Sequence, residues 1–493
     1  MVTPLSIRSF QRSPQGGQPL QRPDSEAVPA QDEWKPRRVT SSRLDAEKLR
    51  LEKENLQLAK NLKQSLLARG DQVLAKDSSV NFSHLVMTHN EEDGLSAQFI
   101  AQMGEIGALE GYQVLARCAQ EKVANLKEQL KQWPGARHVT VVATPSNQDV
   151  WTEDQGEFTL QGDLIIPPLL DTQTPFGQIT FLGRLKRLHP EADVAQVASV
   201  LTENNLAHAM STYPKANFSY QGGVGEGQTH LGMLEAGLAL DLPQIRMTSS
   251  YIEGGNFMPG QRADGTPIAF VGRDSVHISA DILENDLGKK VTEGQVLHRI
   301  AKDYGFKPNQ VVPVEQPADF HIDMAMTWTR PGHLLLNDSR AVLQMQKGWL
   351  NDWLRRELEK GAEPESTLRS RYAGELQRLE QMAEHHAELE SHSLRDLQQE
   401  GVQIDRIAGS FPASLANPAM NFLNLRQGSA EDGTTFAVML GGTPEAETYI
   451  REQLLEKLPT GYQRLHFLDP SLTSGTLDLW GGIKCRTKPL VLA

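Results

Sequence analysis

Near its C-terminus the chain reads Trp480-Gly481-Gly482-Ile483-Lys484-Cys485-Arg486-Thr487, which places one of only two cysteines behind a pair of glycines. A thiol there is a candidate nucleophile, and glycines let a substrate come close to the main chain beside it. Three further segments set an acidic or imidazole group beside glycine, tryptophan or aspartate: Trp151-Thr152-Glu153-Asp154-Gln155-Gly156-Glu157-Phe158, Glu253-Gly254-Gly255-Asn256-Phe257 and Phe320-His321-Ile322-Asp323-Met324. Together they supply carboxylates, a base and a thiol. A guanidinium substrate needs two carboxylates to accept hydrogen bonds from its planar fork of N–H groups, a nucleophile for the central carbon and an acid for the departing ammonia. Asp154 and Asp323 are the candidate clamp, Cys485 the nucleophile and His321 the proton carrier. Glu253, Gly255, Asn256 and Trp151 are candidates for substrate contact.

Each feature taken singly has an ordinary structural reading. A lone cysteine is more often a packed thiol than a nucleophile. Asp154 in a glycine-containing turn and Glu253 ahead of two glycines both resemble turn-stabilising carboxylates. If residues 321–323 form a strand, His321 and Asp323 share one face, which suits a site and equally suits a surface pair. Trp151 and Trp328, read alone, are packing residues. The functional reading rests on the combination.

The elements that must position these groups follow from the rest of the 493 residues. The composition, 39% hydrophobic and 23% charged with no apolar run of membrane-spanning length, is that of a soluble globular protein of two or three domains, or of one large domain with an extension. The net charge of −13 argues against nucleic-acid binding and suits a cationic partner. Cys118 and Cys485 make neither a disulfide framework nor a paired zinc spacing. Residues 1–38 lack the hydrophobic region of a Sec signal, so the expected location is the cytoplasm, or outside it by another export route.

Residues 1–41, rich in Pro, Gln and Ser, read as a disordered tail. Residues 42–69, with Leu44, Leu51 and Leu58 at seven-residue spacing, read as a helix or a short coiled coil. Residues 70–136 read as a helical linker, because Phe99, Met103, Ile106, Leu109, Tyr112 and Leu115 recur at three- and four-residue steps; Cys118 then falls in a helix. From His138–Thr144 onward, short strand candidates alternate with helices: Leu164–Ile166, Ile268–Val271, Leu334–Leu336, Phe436–Leu440 and Leu465–Leu468. That is an α/β pattern. Residues 343–400 form a charged, peripheral helical pair broken near Pro364, on which His385, His386 and His392 read as a solvated face. The loop Gln221-Gly222-Gly223-Val224-Gly225-Glu226-Gly227 lacks the ending and the spacing of a phosphate loop, and reads as a mobile loop near the site.

With these residues in view, the chain resembles the guanidino-modifying, or pentein, superfamily, and within it the catalytic domain of protein-arginine deiminases. The resemblance is carried by Trp151, Asp154, Glu157 and Phe158 in the pattern Trp-x-x-Asp-x-x-Glu-Phe, by His321 and Asp323 in His-x-Asp, and by Cys485 after Gly-x-x. The run Gly332-His333-Leu334-Leu335-Leu336-Asn337-Asp338-Ser339-Arg340-Ala341 and the segments Phe411-Pro412, Met420-Asn421-Phe422 and Thr487-Lys488-Pro489-Leu490 follow in the family's order. It covers residues 137–493 and implies a five-module αβ propeller with the site at its centre, Cys485 as nucleophile, His321 as general acid and base, and Asp154 and Asp323 as clamp. No sequence repeat displays that symmetry.

The chain also departs from the pattern. Lys484 stands where the family usually has histidine before the cysteine, and the immunoglobulin-like modules of the animal enzymes have no counterpart. Glu153 and Glu157 flank Asp154 where those enzymes bind calcium, whereas Met258 offers no carboxylate, so no cofactor is required and calcium is left open. Glu253-Gly254-Gly255-Asn256 is similar to the small-molecule branch, the agmatine deiminases. The expected activity is deimination of arginine in proteins or peptides to citrulline and ammonia through a covalent cysteine thiouronium. A small-guanidine deiminase or amidinotransferase, and a catalytically silent interaction protein, are the alternatives. The expected partner is an arginine-containing protein or peptide, with no nucleic acid and no membrane.

Overall fold

The structure, a computed structural model, describes residues 82–491 except 145–149, 161, 169–175, 218–232, 234–235, 238, 241, 243, 319, 431 and 478–480. The tail 1–41, the segment 42–69, the glycine-rich loop 221–227 and Trp480 lie outside the described residues.

The described residues begin with β1 (His84–Thr88), α1 (Ser96–Glu110), β2 (Gln113–Ala119), α2 (Val123–Leu130) and β3 (Val139–Thr144). Next come β4 (Glu157–Phe158), β5 (Leu164–Ile166), α3 (Phe176–Leu188), α4 (Val194–Val200), α5 (Glu203–Thr212) and β6 (Ile245–Met247). A third group holds β7 (Phe257–Gln261), β8 (Pro267–Gly272), α6 (Arg273–Leu287), α7 (Glu293–Asp303) and β9 (Val311–Val314). The fourth holds β10 (Met326–Arg330), β11 (His333–Asn337), α8 (Ser339–Lys360), α9 (Glu365–Gln398) and β12 (Gln403–Ile407), followed by the small pair β13 (Ser410–Phe411) and β14 (Met420–Asn421). The fifth holds β15 (Arg426–Ser429), β16 (Thr435–Met439), α10 (Pro444–Arg451), β17 (Arg464–Phe467), α11 (Pro470–Leu477) and β18 (Thr487–Leu490).

One pattern runs through these groups. In β4-β5-β6, β7-β8-β9, β10-β11-β12 and β15-β16-β17 the first two strands pair antiparallel and the third joins parallel after a helical crossover. The four-stranded sheet, β18-β1-β2-β3, repeats it with β18 as the antiparallel member, and β13-β14 forms a separate two-stranded sheet. A parallel pair needs such a crossover, whereas the antiparallel pair needs only a turn.

The middle strand of each sheet is buried on both faces, and alternate residues enter different cores. Val86 packs with Leu164 and Ile166, while Leu85 and Met87 pack with Phe436 and Val438. Ile165 faces Ala269 and Val271; Ile268 and Phe270 face Leu334 and Leu336; Leu335 faces Ala437 and Met439. Each sheet therefore shares one core with the sheet before it and another with the sheet after it, and the fifth shares one with the first.

This corrects the reading of 70–136 as a linker and of 137 as the domain start. Residues 82–136 supply β1 and β2, which sit between β18 and β3. Tyr112 and Leu115 continue the helical spacing of α1, but Val114, Leu115, Ala116 and Cys118 are buried on a two-faced strand, where periodicity carries no signal. Cys118 lies on β2 in the core, not in a helix. The helical pair 343–400 corresponds to α8 and α9, which pack through Leu350, Trp353, Leu368 and Leu379. Glu390 of α9 is an exception to its polar face: it is buried and accepts hydrogen bonds from Asn337 and Ser339. Among the described residues no helix is long and apolar enough to cross a membrane.

Candidate functional site

Each of the five larger sheets is entered through a short connection just ahead of its first strand, and these connections carry the candidate site residues. They are the 3-10 turn Glu153–Gln155 before β4, Gly254–Asn256 before β7 and Ile322–Met324 before β10, then Asn421 to Asn424 before β15, and Ile483 to Arg486 before β18. His321 precedes its turn in extended backbone, so it and Asp323 do not share a strand face; the turn replaces the strand alternative considered from sequence.

The imidazole sits among carboxylates. His321 Nε2 lies 2.7 Å from Glu253 Oε2, and its Nδ1 lies 3.7 Å from Asp154 Oδ1. The Tyr251 hydroxyl donates to the other oxygen of Glu253 at 3.1 Å. The Gly255 N–H donates to Asp154 Oδ1 at 2.9 Å, and a Cβ on Gly255 would fall 2.2 Å from His321 Nδ1, so only glycine admits the ring. Phe320 stacks on the imidazole with 3.8 Å between ring centres. Burial pushes the His321 pKa down, but Asp154, Glu253 and Asp323 outweigh it and hold it at about 9. Burial raises Asp154 to about 7; His321 and the Gly255 N–H oppose that rise, and Glu253 and Asp323 add to it.

Cys485 is 2% exposed, and Asp323, in the turn after His321, is fully buried. Asn424 Nδ2 lies 3.5 Å from Cys485 Sγ and 3.3 Å from the Asp323 carbonyl oxygen, while its Oδ1 accepts from the Lys484 N–H at 2.7 Å. Asn421 Oδ1 in turn accepts from the N–H groups of Leu423 and Asn424, which closes that connection as an Asx turn. The Glu153 N–H donates to the Cys485 carbonyl at 2.9 Å. Burial pushes the Cys485 thiol well above its ordinary range, and the charges of Asp323 and Asp154 push further. A cation brought against the sulfur would reverse that.

Beside this cluster lies a second, oppositely balanced one. Arg426 donates to Glu153 Oε2 at 2.7 Å and to the carbonyls of Lys484 and Thr487. Lys488 Nζ lies 3.2 Å from Glu153 Oε1 and 2.6 Å from Glu157 Oε1. Burial would raise the Glu153 pKa, but Lys488, Arg426 and Lys484 pull it below the usual carboxylate value. The carboxylates of Glu153 and Glu157, the candidate calcium ligands, are thus held by buried ammonium and guanidinium groups. Among the described residues no group of three acidic, histidine or cysteine side chains is arranged to hold a metal.

Of the other substrate-contacting candidates, Asn256 uses Oδ1 to accept from the Ile322 N–H at 3.3 Å and from Gln316 at 3.4 Å, which ties the 254–256 turn to the 322–324 turn. The Trp151 ring lies against Gly481, where a Cβ would fall 1.9 Å from it, and the Arg486 guanidinium stands 5.5 Å from its ring centre. Both residues pack the site's supports. Sequence reasoning passed over Asn424 and Tyr251. Asn424 had a signal, a polar residue two positions ahead of a strand start, as at Cys485 before Thr487; Tyr251 had none beyond closeness to Glu253.

No protein-family model matches the chain, and no curated protein does. Among solved structures it is similar to a proposed agmatine deiminase, at TM-score 0.50 and 11% identity over 86% of this chain and 96% of that one. It is also similar to DDAH from Pseudomonas aeruginosa, a cysteine-to-serine variant complexed with citrulline, at TM-score 0.30 and 11% identity over 83% and 98% of the two chains. Both are pentein guanidino-modifying enzymes. At such identity the first likeness speaks for the fold, and the second bears no weight. The chain has a pentein-like α/β fold.

Proposed function

We propose that this chain is a guanidine hydrolase that replaces one guanidinium nitrogen by oxygen and releases ammonia. The observation that carries this reading is the constellation of buried Glu253, His321, Asp323 and Cys485 with the half-buried Asp154, delivered by equivalent turns. We read the five sheets, joined in a cycle by shared cores, as the propeller that aims these turns inward.

The chemistry follows from the charges. With the site empty, Cys485 is a thiol and His321 an imidazolium. A guanidinium bound between Asp154 and Asp323 sets its charge against Sγ, and the thiol proton leaves to solvent. The thiolate attacks the central carbon, and His321 gives its proton to the departing nitrogen, which leaves as ammonia. The product of this step is a thiouronium cation on Cys485, and His321 is now neutral. It removes a proton from water, the oxygen adds to the same carbon, and the C–S bond breaks to give the ureido product and the thiolate. The ammonia takes up the proton released in that collapse. In this reading Glu153 and Glu157 orient the 153–157 segment through Lys488 and Arg426, and the reaction needs no calcium.

A small free guanidine such as agmatine or arginine is the substrate class best supported, since Cys485 and His321 are each only 2% exposed and Asp323 is fully buried. Arginine within a peptide or protein is the second reading, favoured by the Trp151-to-Phe158 pattern. The test is citrulline-type product and ammonia formation from agmatine, arginine and an arginyl peptide. Turnover of the free guanidines alone is expected. Turnover of the peptide alone would transfer the assignment to the second reading, and none with any guanidine would end both.

A further inference from the structure

We infer that Tyr251 is a positioning residue for proton transfer: its hydroxyl holds Glu253 in the rotamer that grips His321. The inference rests on the proposed roles of Glu253 and His321.

The geometry is a line of contacts that leads from the helices of the third sheet into the site. The Tyr251 hydroxyl donates to Glu253 Oε1 at 3.1 Å, and Glu253 Oε2 lies 2.7 Å from His321 Nε2. One carboxylate is thus held at both oxygens, which leaves its side chain no freedom to swing away. The phenol is itself fixed. Its ring is 1% exposed and packs on Ile278 and Ile282 of α6. Its main chain is clipped by Ser279 of the same helix, whose hydroxyl accepts from the Tyr251 N–H at 3.0 Å and donates to its carbonyl at 2.9 Å.

Immediately upstream, a buried carboxylate anchors the approach to this residue. Asp303, near the end of α7, uses Oδ2 to accept from the N–H and hydroxyl of Ser249 and from the N–H and hydroxyl of Ser250, at 2.8–3.1 Å. Four donors on one oxygen fix the two residues that enter Tyr251. The crossover helices of this sheet therefore do more than cover it: α6 and α7 set the rotamer of the base partner. A hydroxyl is needed because Glu253 is largely buried, where an unmet carboxylate oxygen is costly.

The test combines a double-mutant cycle with titration of the histidine ring. Tyr251→Phe keeps the ring and removes the tether, and kcat is expected to fall about tenfold with KM little changed, in line with loss of one hydrogen bond to a charged group. In the Glu253→Gln background the same change should cost almost nothing, since the group it positions is gone. The His321 resonance, assigned by its absence in His321→Gln, should titrate at lower pH in Tyr251→Phe because the loosened Glu253 no longer holds the proton. Equal losses in both backgrounds, or an unmoved His321 titration, overturn the inference. The titration needs no substrate, so a chain inactive on every guanidine whose His321 still shifts would end the hydrolase reading and leave the positioning role standing. Should Tyr251→Phe fail to fold, Asp303→Asn loosens the same segment without touching the ring and is read by the same titration.

Discussion

Glu153 and Asp154 are neighbours in the chain, yet their surroundings drive them in opposite directions. Glu153 turns to Arg426 and Lys488, which hold its pKa down; Asp154 turns to His321, Glu253 and Asp323, and burial lifts it to about 7. One 3-10 turn thus divides a neutralised support from a centre left with surplus negative charge. Burying an ion is tolerable where an opposite charge and hydrogen bonds meet it, as around Glu153. The other side sets the His321 ring among the carboxylates of Asp154, Glu253 and Asp323, an arrangement that would favour a guanidinium. In the proposed reading, stability and affinity fall to adjacent residues.

That contrast can be broken at either side. Asp154→Asn is expected to lower kcat/KM about a thousandfold, since an amide cannot replace a carboxylate facing a cation, with thermal stability unchanged or raised because a buried acid is removed. Near-normal turnover would take Asp154 out of the clamp. Arg426→Met should act in the other currency: it strands Glu153, and unfolding free energy is expected to drop by about 3 kcal/mol in urea titrations. A variant as stable as the parent would contradict the support role.

The pH response separates the two carboxylates further. In the proposed mechanism Asp154 works ionised, and its raised pKa means that form is lost as pH falls through about 7. The acidic limb of kcat/KM should therefore stand near neutrality; a limb in the ordinary carboxylate range, about 4, would show a clamp not desolvated as described. Last, a chelator should leave the rate unaltered, because Lys488 and Arg426 already hold the acids that calcium would need. Loss of activity in chelator, restored by calcium alone, would reassign Glu153 and Glu157.

Much of the candidate site was legible because charged and sulfur-bearing side chains sit beside glycines, where few structural demands place them. Asp154, Glu253, His321 and Cys485 could be picked from composition and neighbours alone. Asn424 could not be singled out on its one signal, a polar residue two positions ahead of a strand start, since an amide reads as ordinary turn chemistry until Cys485 is seen 3.5 Å away. Nor could the fate of Glu153, whose partner Arg426 is 273 residues distant in the chain. The strands β5, β8, β11, β16 and β17 announced themselves as short apolar runs. β2 was hidden, because a strand buried on both faces after a helix prolongs the helix's spacing. The two-residue strands β4, β13 and β14 carry no pattern at all. The cycle of shared cores lies in which face each residue takes, and no repeat of sequence records it.

The central claim is a covalent bond between Cys485 and a guanidine carbon. Acid quenching of the chain during turnover of a small guanidine, followed by mass analysis of its peptides, reads that bond directly. The account predicts a thiouronium adduct on the peptide containing Cys485, none on the peptide containing Cys118, whose thiol burial raises to about 12, and no turnover in Cys485→Ala. Product formation by Cys485→Ala, with no adduct on the parent chain, would contradict it.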